Sequence, residues 1–142
     1  MQPHDEVLTR YRTIAVVGLS PRIDRPSHQV ARYMQAHGYR IVPINPVLAG
    51  QKLLGETCYA SLTAAASALR AQRADIEIVD CFRRSEQMEP IADEAIVIAA
   101  KCLWMQIGIV SAKAAARAAE GGLIVVMNRC IKIDHMQLVQ VG

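Results

Sequence analysis

Thr13–Met34 reads TIAVVGLSPRIDRPSHQVARYM, and the apolar period changes once inside it. Thr13–Gly18 (TIAVVG) is β-branched and apolar on both faces, the pattern of a strand covered from both sides. Ser27–His37 then carries Val30, Ala31, Tyr33 and Met34 at helical spacing, with Gly38 placed to end the helix. Between them lies a loop with a single glycine. The stretch is therefore predicted to be a strand, a phosphate-sized turn and a helix, one βα unit.

The same alternation repeats downstream. Arg40–Asn45 (RIVPIN) reads as a second strand closed by Pro46, and Leu53–Tyr59 as a loop turning at Gly55-Glu56. Ser61 caps an alanine-rich helix that runs to about Ala71. Ala74–Phe82 is the third strand and Pro90–Ala100 the next helix. Lys101–Ile107 (KCLWMQI) is the fourth strand, with Trp104 as core packing. Ser111 caps a helix to Glu120, stopped by Gly121-Gly122, and Leu123–Cys130 (LIVVMNRC) is the fifth strand before a short amphipathic tail. Each crossover between parallel strands needs a helix-length connection, so this pattern predicts an α/β fold with a doubly wound, five-stranded parallel sheet. The order expected is 3-2-1-4-5, which puts the ligand crevice between the carboxyl ends of strands one and four.

Composition sets the outer bounds. A chain of 142 residues suits one domain, taken as 1–142 with a core at about 13–133. Apolar residues make up 52% and charged residues 20%, as in a globular protein. No apolar run approaches the roughly 18 residues of a membrane span, and MQPHDEVLTRY lacks a signal-peptide core, so the expectation is a cytoplasmic protein with no membrane partner. A net charge of +3 from scattered arginines makes no nucleic-acid stripe. Cys58, Cys81, Cys102 and Cys130 form no C-x-x-C pair, and each is expected to be a small buried residue rather than a disulfide half or metal ligand.

The opening loop carries the chemistry. A helix start attracts phosphate through unpaired amides, expected here at His28–Val30. Gly18 allows a sharp turn, Ser20 and Ser27 offer hydroxyls, and Arg22 and Arg25 add charge, with His28 within reach. The G-x-G-x-x-G fingerprint is absent, because Ser20 and Ile23 stand where its later glycines would be, and so is the P-loop pattern. Strand two ends in Asn45-Pro46 rather than the acidic residue that binds the NAD ribose. That favours a nucleotide with a phosphorylated ribose, NADP or coenzyme A. No nucleophile, base and orienting acid stand out as a set, and no catalytic residue is assigned.

Gly18–Pro46 (GLSPRIDRPSHQVARYMQAHGYRIVPINP), Gly55–Leu62 (GETCYASL), Asp75–Glu86 (DIEIVDCFRRSE), Lys101–Gly108 (KCLWMQIG) and Val125–Asp134 (VVMNRCIKID) together resemble the motifs of small stand-alone coenzyme A-binding proteins. These in turn resemble the CoA-binding domain of the succinyl-CoA synthetase alpha subunit. The resemblance implies a Rossmann-like, nucleotide-binding fold that holds CoA or an acyl-CoA. The diphosphate would lie on the loop Gly18, Leu19, Ser20, Pro21, Arg22, Arg25, Ser27 and His28, and the adenosine near Asn45 and Pro46. Phe82, Arg83, Gln106, Gly108 and the pair Asn128-Arg129 would complete the cleft. Val47 and Asn128 depart from the pattern, where a basic residue and an Asp are usual. A binding protein without its own reaction is the first reading. The alternatives are a small NADP-dependent oxidoreductase, an acyl-CoA-processing subunit, or a regulatory subunit with a protein partner or a second copy of itself.

Overall fold

In the computed structural model, which describes residues 2–141, the chain alternates strands and helices. The elements are α1 (Pro3–Arg10), β1 (Thr13–Val17), α2 (Pro26–Ala36), β2 (Arg40–Ile44), β3 (Lys52–Leu53), β4 (Glu56–Thr57) and α3 (Leu62–Ala71). They continue with β5 (Ile78–Cys81), α4 (Met88–Val97), β6 (Cys102–Met105), α5 (Ala112–Glu120), β7 (Ile124–Met127) and α6 (Ile131–Val141).

All neighbours in the main sheet are parallel, in the order β2-β1-β5-β6-β7. Among the five long strands that is 2-1-3-4-5, so the expected 3-2-1-4-5 order is corrected. Two local features explain it. Pro43 sits in β2 and has no amide to donate, which suits an edge strand and not an interior one. The outer side of β2 is also taken at its carboxyl end: Asn45 donates to the Tyr59 carbonyl at 2.9 Å and Tyr59 donates to Pro43 at 3.0 Å. The third long strand, β5, is buried along its whole length and inserts beside β1. The strand order therefore reverses between β1 and β5, and the crevice moves with it from strand four to strand three.

Alternate strand residues serve two cores. Ile14, Val16, Ile78 and Trp104 pack with α1, α2 and α6, whereas Ala15, Val17, Val79 and Leu103 pack with α3, α4 and α5. Trp104 is fully buried, and its indole donates to the Arg129 carbonyl at 2.9 Å. The Ser61 and Ser111 caps form as predicted, accepting from the Ala64 and Ala114 amides. No helix among the described residues is long and apolar enough to cross a membrane.

Other boundaries differ for local reasons. Helix α1 was not expected; Pro3 occupies its first turn, and Val7 and Leu8 are buried against the sheet. The segment expected to be a loop at 53–59 includes the hairpin β3–β4, which turns on Leu54 and Gly55, both at positive φ, one residue earlier than expected. Helix α4 starts at Met88 and stops at Val97 because Ala99 takes a left-handed φ of 60°, a stop with no glycine to announce it. Strand β5 begins at Ile78, four residues late, after Arg73 at φ 60° has closed α3. The tail is α6, held to α2 in part by the Tyr33–His135 hydrogen bond of 2.9 Å.

Candidate functional site

The site begins where β1 ends. Gly18 has φ +90°, its amide donates to the Ile44 carbonyl of β2 at 2.9 Å, and a β-carbon there would lie 2.8 Å from the Phe82 carbonyl oxygen. The chain thus leaves the sheet between β2 and β5, where only a residue without a side chain fits.

The loop that follows is braced from inside. Asn45 donates through Nδ2 to the Leu19 carbonyl at 3.1 Å, and the Ser20 amide donates to Ser27 Oγ at 3.0 Å. The Ser20 hydroxyl in turn accepts from the Arg22 amide at 3.1 Å. His28 is buried, and its Nδ1 stands 2.9 Å from the Ser20 carbonyl; since a carbonyl only accepts, Nδ1 carries the proton. These contacts correct several expectations. Leu19 is fully buried in the core and His28 braces the loop, so neither side chain is offered to a ligand. Helix α2 starts at Pro26, one residue before the expected Ser27, with Arg25 at its cap position. The amides of His28 and Gln29 both donate to the Arg25 carbonyl at 3.1 Å, so the free donor of the first turn is the Ser27 amide. Arg22 pairs with Asp24 at 3.1 Å, both well exposed, which offsets its charge.

Three cavities adjoin along this edge of the sheet. One of about 390 Å³ lies on the loop, lined by Gly18, Ser20, Arg22, Arg25, Ser27 and Phe82. A second, of about 750 Å³, extends toward β2 and α3; Pro21, Asn45, Pro46 and Arg83 line it together with Val47, Ser61 and Glu94. The third, of about 500 Å³, extends toward β6 and α6, with Phe82, Arg83 and Gln106 beside Val30, Ile109 and Cys130. Phe82 is shared by the loop cavity and the third, and Arg83 by the second and third. Arg83 is half-buried, and its guanidinium has no ion pair or hydrogen bond with any described residue. An unpaired cation held part-way out of water at the junction of cavities is arranged for an anion.

Of the remaining expected residues, Gly108 is exposed and donates to Asn128 Oδ1 at 2.7 Å. Asn128, at φ 61°, thus braces a turn, and Arg129 forks onto Asp134 at 2.8 and 2.9 Å. The pair does not line the three cavities. Sequence reasoning missed Val30, Ile109, Ser61 and Glu94 as lining residues. Glu94 and Ile91 lie three apart on one face of α4, a spacing that no local motif distinguishes from ordinary packing.

Behind Gln106 lies Asp80, only 1% exposed, whose Oδ1 accepts from Gln106 Nε2 at 2.5 Å. Burial pushes the Asp80 carboxyl up to about 7, with the Gln106 hydrogen bond pulling it part-way back. The unfolded value is lower, near 3.9. Ionisation therefore costs the folded state: stability falls as pH rises from about 4 to about 7 and is level above. Asp80→Asn, which can still accept from Gln106, is expected to gain on the order of 2 kcal/mol over the native protein at pH 8 and little at pH 4, as read from urea melts. A gain independent of pH would contradict this origin.

The family described as CoA binding domain matches residues 12–136. The chain is 42% identical over 130 residues to the uncharacterized protein YneT of Bacillus subtilis (strain 168), covering 92% of this chain and 90% of that protein. Among solved structures, a Thermus thermophilus protein designated cell-free ID.343 superposes with a TM-score of 0.85 at 31% identity, over 97% of this chain and 99% of that one. A hypothetical protein from Pyrococcus horikoshii OT3 gives 0.85 at 35%, over 98% and 93%. With the match spanning most of the chain and the fold shared throughout, the protein belongs to the CoA binding domain family.

Proposed function

We propose that the protein binds coenzyme A, in free or acylated form, along the three joined cavities, and that it does so as a binding protein. The observation that carries this reading is the unpaired Arg83 where the second and third cavities meet, beside a loop cavity lined by Arg22 and Arg25. The diphosphate belongs on the loop with the Ser27 amide, where anions meet the positive end of α2. The adenosine belongs in the larger cavity at Asn45 and Pro46, and the pantetheine arm in the third, between Phe82 and Gln106. The loop cavity is the most polar of the three and the other two are more apolar, which suits a diphosphate with an adenosine and a pantetheine arm on its two sides.

Melting with ligand present tests the reading. At 100 times its dissociation constant, CoA should add about 2.7 kcal/mol of stability, a rise of roughly 5–10 °C for a chain of this size. Dephospho-CoA should give a smaller shift and NAD little, because no carboxylate ends β2. An NAD shift equal to that of CoA would defeat the assignment.

A further inference from the structure

Cys130 differs from the other three cysteines. Cys58, Cys81 and Cys102 are at most 1% exposed, and burial pushes all three thiols above their ordinary range. Cys130 is partly exposed, unpaired, and lines the cavity that also holds Phe82, Arg83, Arg84 and Gln106. Its carbonyl accepts the Asp134 amide at 3.0 Å, so it is the residue from which the 11-residue α6 starts. The turn that carries it is tied down on both sides, by Asn128 to Gly108 and by Arg129 to Asp134 and Trp104.

A second feature of the same cavity points to a ligand. Gln106 is 5% exposed, and its amide nitrogen is committed to Asp80. That bond fixes the orientation of the amide, and the carbonyl oxygen takes no hydrogen bond from any described residue. The cavity therefore presents one acceptor oxygen open to it on an otherwise buried side chain, two arginines and one thiol. An acceptor so placed suits the amide N–H groups of a pantetheine arm, whose far end is a sulfur.

We propose that Cys130 is a site of reversible covalent attachment, forming a mixed disulfide with CoA delivered as CoA disulfide; this rests on the CoA reading above. The Cys130 thiolate forms a bond to one sulfur of the incoming disulfide. The bond between the two incoming sulfurs breaks, and the second CoA leaves as a thiolate that takes up the proton Cys130 gave up. The protein gains one CoA less two hydrogens, one free CoA is released, and the disulfide itself is the oxidant. Arg83, Arg84 and the start of α6 place positive charge around the sulfurs that exchange. A small thiol reverses the reaction, so occupancy follows the ratio of CoA disulfide to CoA.

The test incubates the whole protein with CoA disulfide or, separately, with oxidised glutathione at equal concentration, and reads intact mass and the modified peptide. The expected result is a single CoA adduct on Cys130, formed about 10-fold or more faster than the glutathione adduct, lost on adding dithiothreitol, and absent in Cys130→Ser. Equal rates with the two disulfides, or an adduct on another cysteine, would overturn the proposal. Melting with reduced CoA is run alongside. Stabilisation by CoA without an adduct sinks the covalent site and leaves the binding reading standing, whereas neither effect sinks both. Peptide mapping on the native protein keeps the outcome readable if Cys130→Ser folds poorly.

Discussion

Arg83→Gln is expected to lose about 10- to 100-fold in CoA affinity while melting at the native temperature or slightly above it. The first effect follows from removing a charged donor that meets an anion inside a cleft, a contact worth roughly 1.5–3 kcal/mol. The second follows from the same structure without ligand: the guanidinium is half-buried with no ion pair or hydrogen bond among the described residues, so the folded protein gains nothing from its charge. Opposite signs for binding and stability distinguish a ligand-contacting arginine from a structural one. Arg129 is the contrast, because its guanidinium is forked onto Asp134, which is only 4% exposed in its side chain. Arg129→Gln should lower the melting temperature, since it strands a buried carboxylate. Titration calorimetry and thermal melts on the two variants suffice. If Arg83→Gln binds CoA within about threefold of the native protein, the anion belongs elsewhere.

Gly18→Ala carries the largest expected cost in stability. A φ of +90° is strained for any residue with a β-carbon, and the new methyl would meet the Phe82 carbonyl oxygen at 2.8 Å, a backbone atom held in place by the Phe82 amide's bond to Val17. The two terms together should destabilise by about 3 kcal/mol and lower the melting temperature by roughly 10 °C. CoA binding should weaken as well, because relief of the clash moves the loop that carries Ser20 and Arg25. Gly55→Ala provides the comparison: its φ is +77°, yet nothing lies within 4 Å of the added carbon. It should cost only the conformational part, about 1 kcal/mol. Equal losses at the two positions would mean that the close approach to β5 contributes nothing.

The residues that can be understood from their own neighbours in the chain were legible in advance. Gly18 before a helix, Ser61 and Ser111 three residues ahead of the amides they cap, and Gly38 at the end of α2 all act over a few residues, where spacing alone carries the information. The loop after the first strand was read correctly as a glycine turn into a helix and incorrectly in detail. The Ser27 hydroxyl, expected to face a ligand, accepts instead from the Ser20 amide, seven residues back, and the Arg25 carbonyl takes up the His28 and Gln29 amides, two of the three expected to do so. Pro43 was visible in the second strand throughout, and its missing donor was the one local sign of an edge position.

The sequence alone determined the α/β class, the parallel sheet and the position of a glycine turn between the first strand and its helix, because periodicity, caps and turn residues are short-range properties. The tertiary structure decided that β5 lies beside β1. That single adjacency sets Phe82 against Gly18 and brings Arg83 to the meeting point of the cavities. It also decided that Cys130, at the far end of the chain, shares a cavity with Gln106 and Arg83. Which strands adjoin depends on how edges are satisfied and how two layers of helices cover the sheet, and those are properties of the assembled chain.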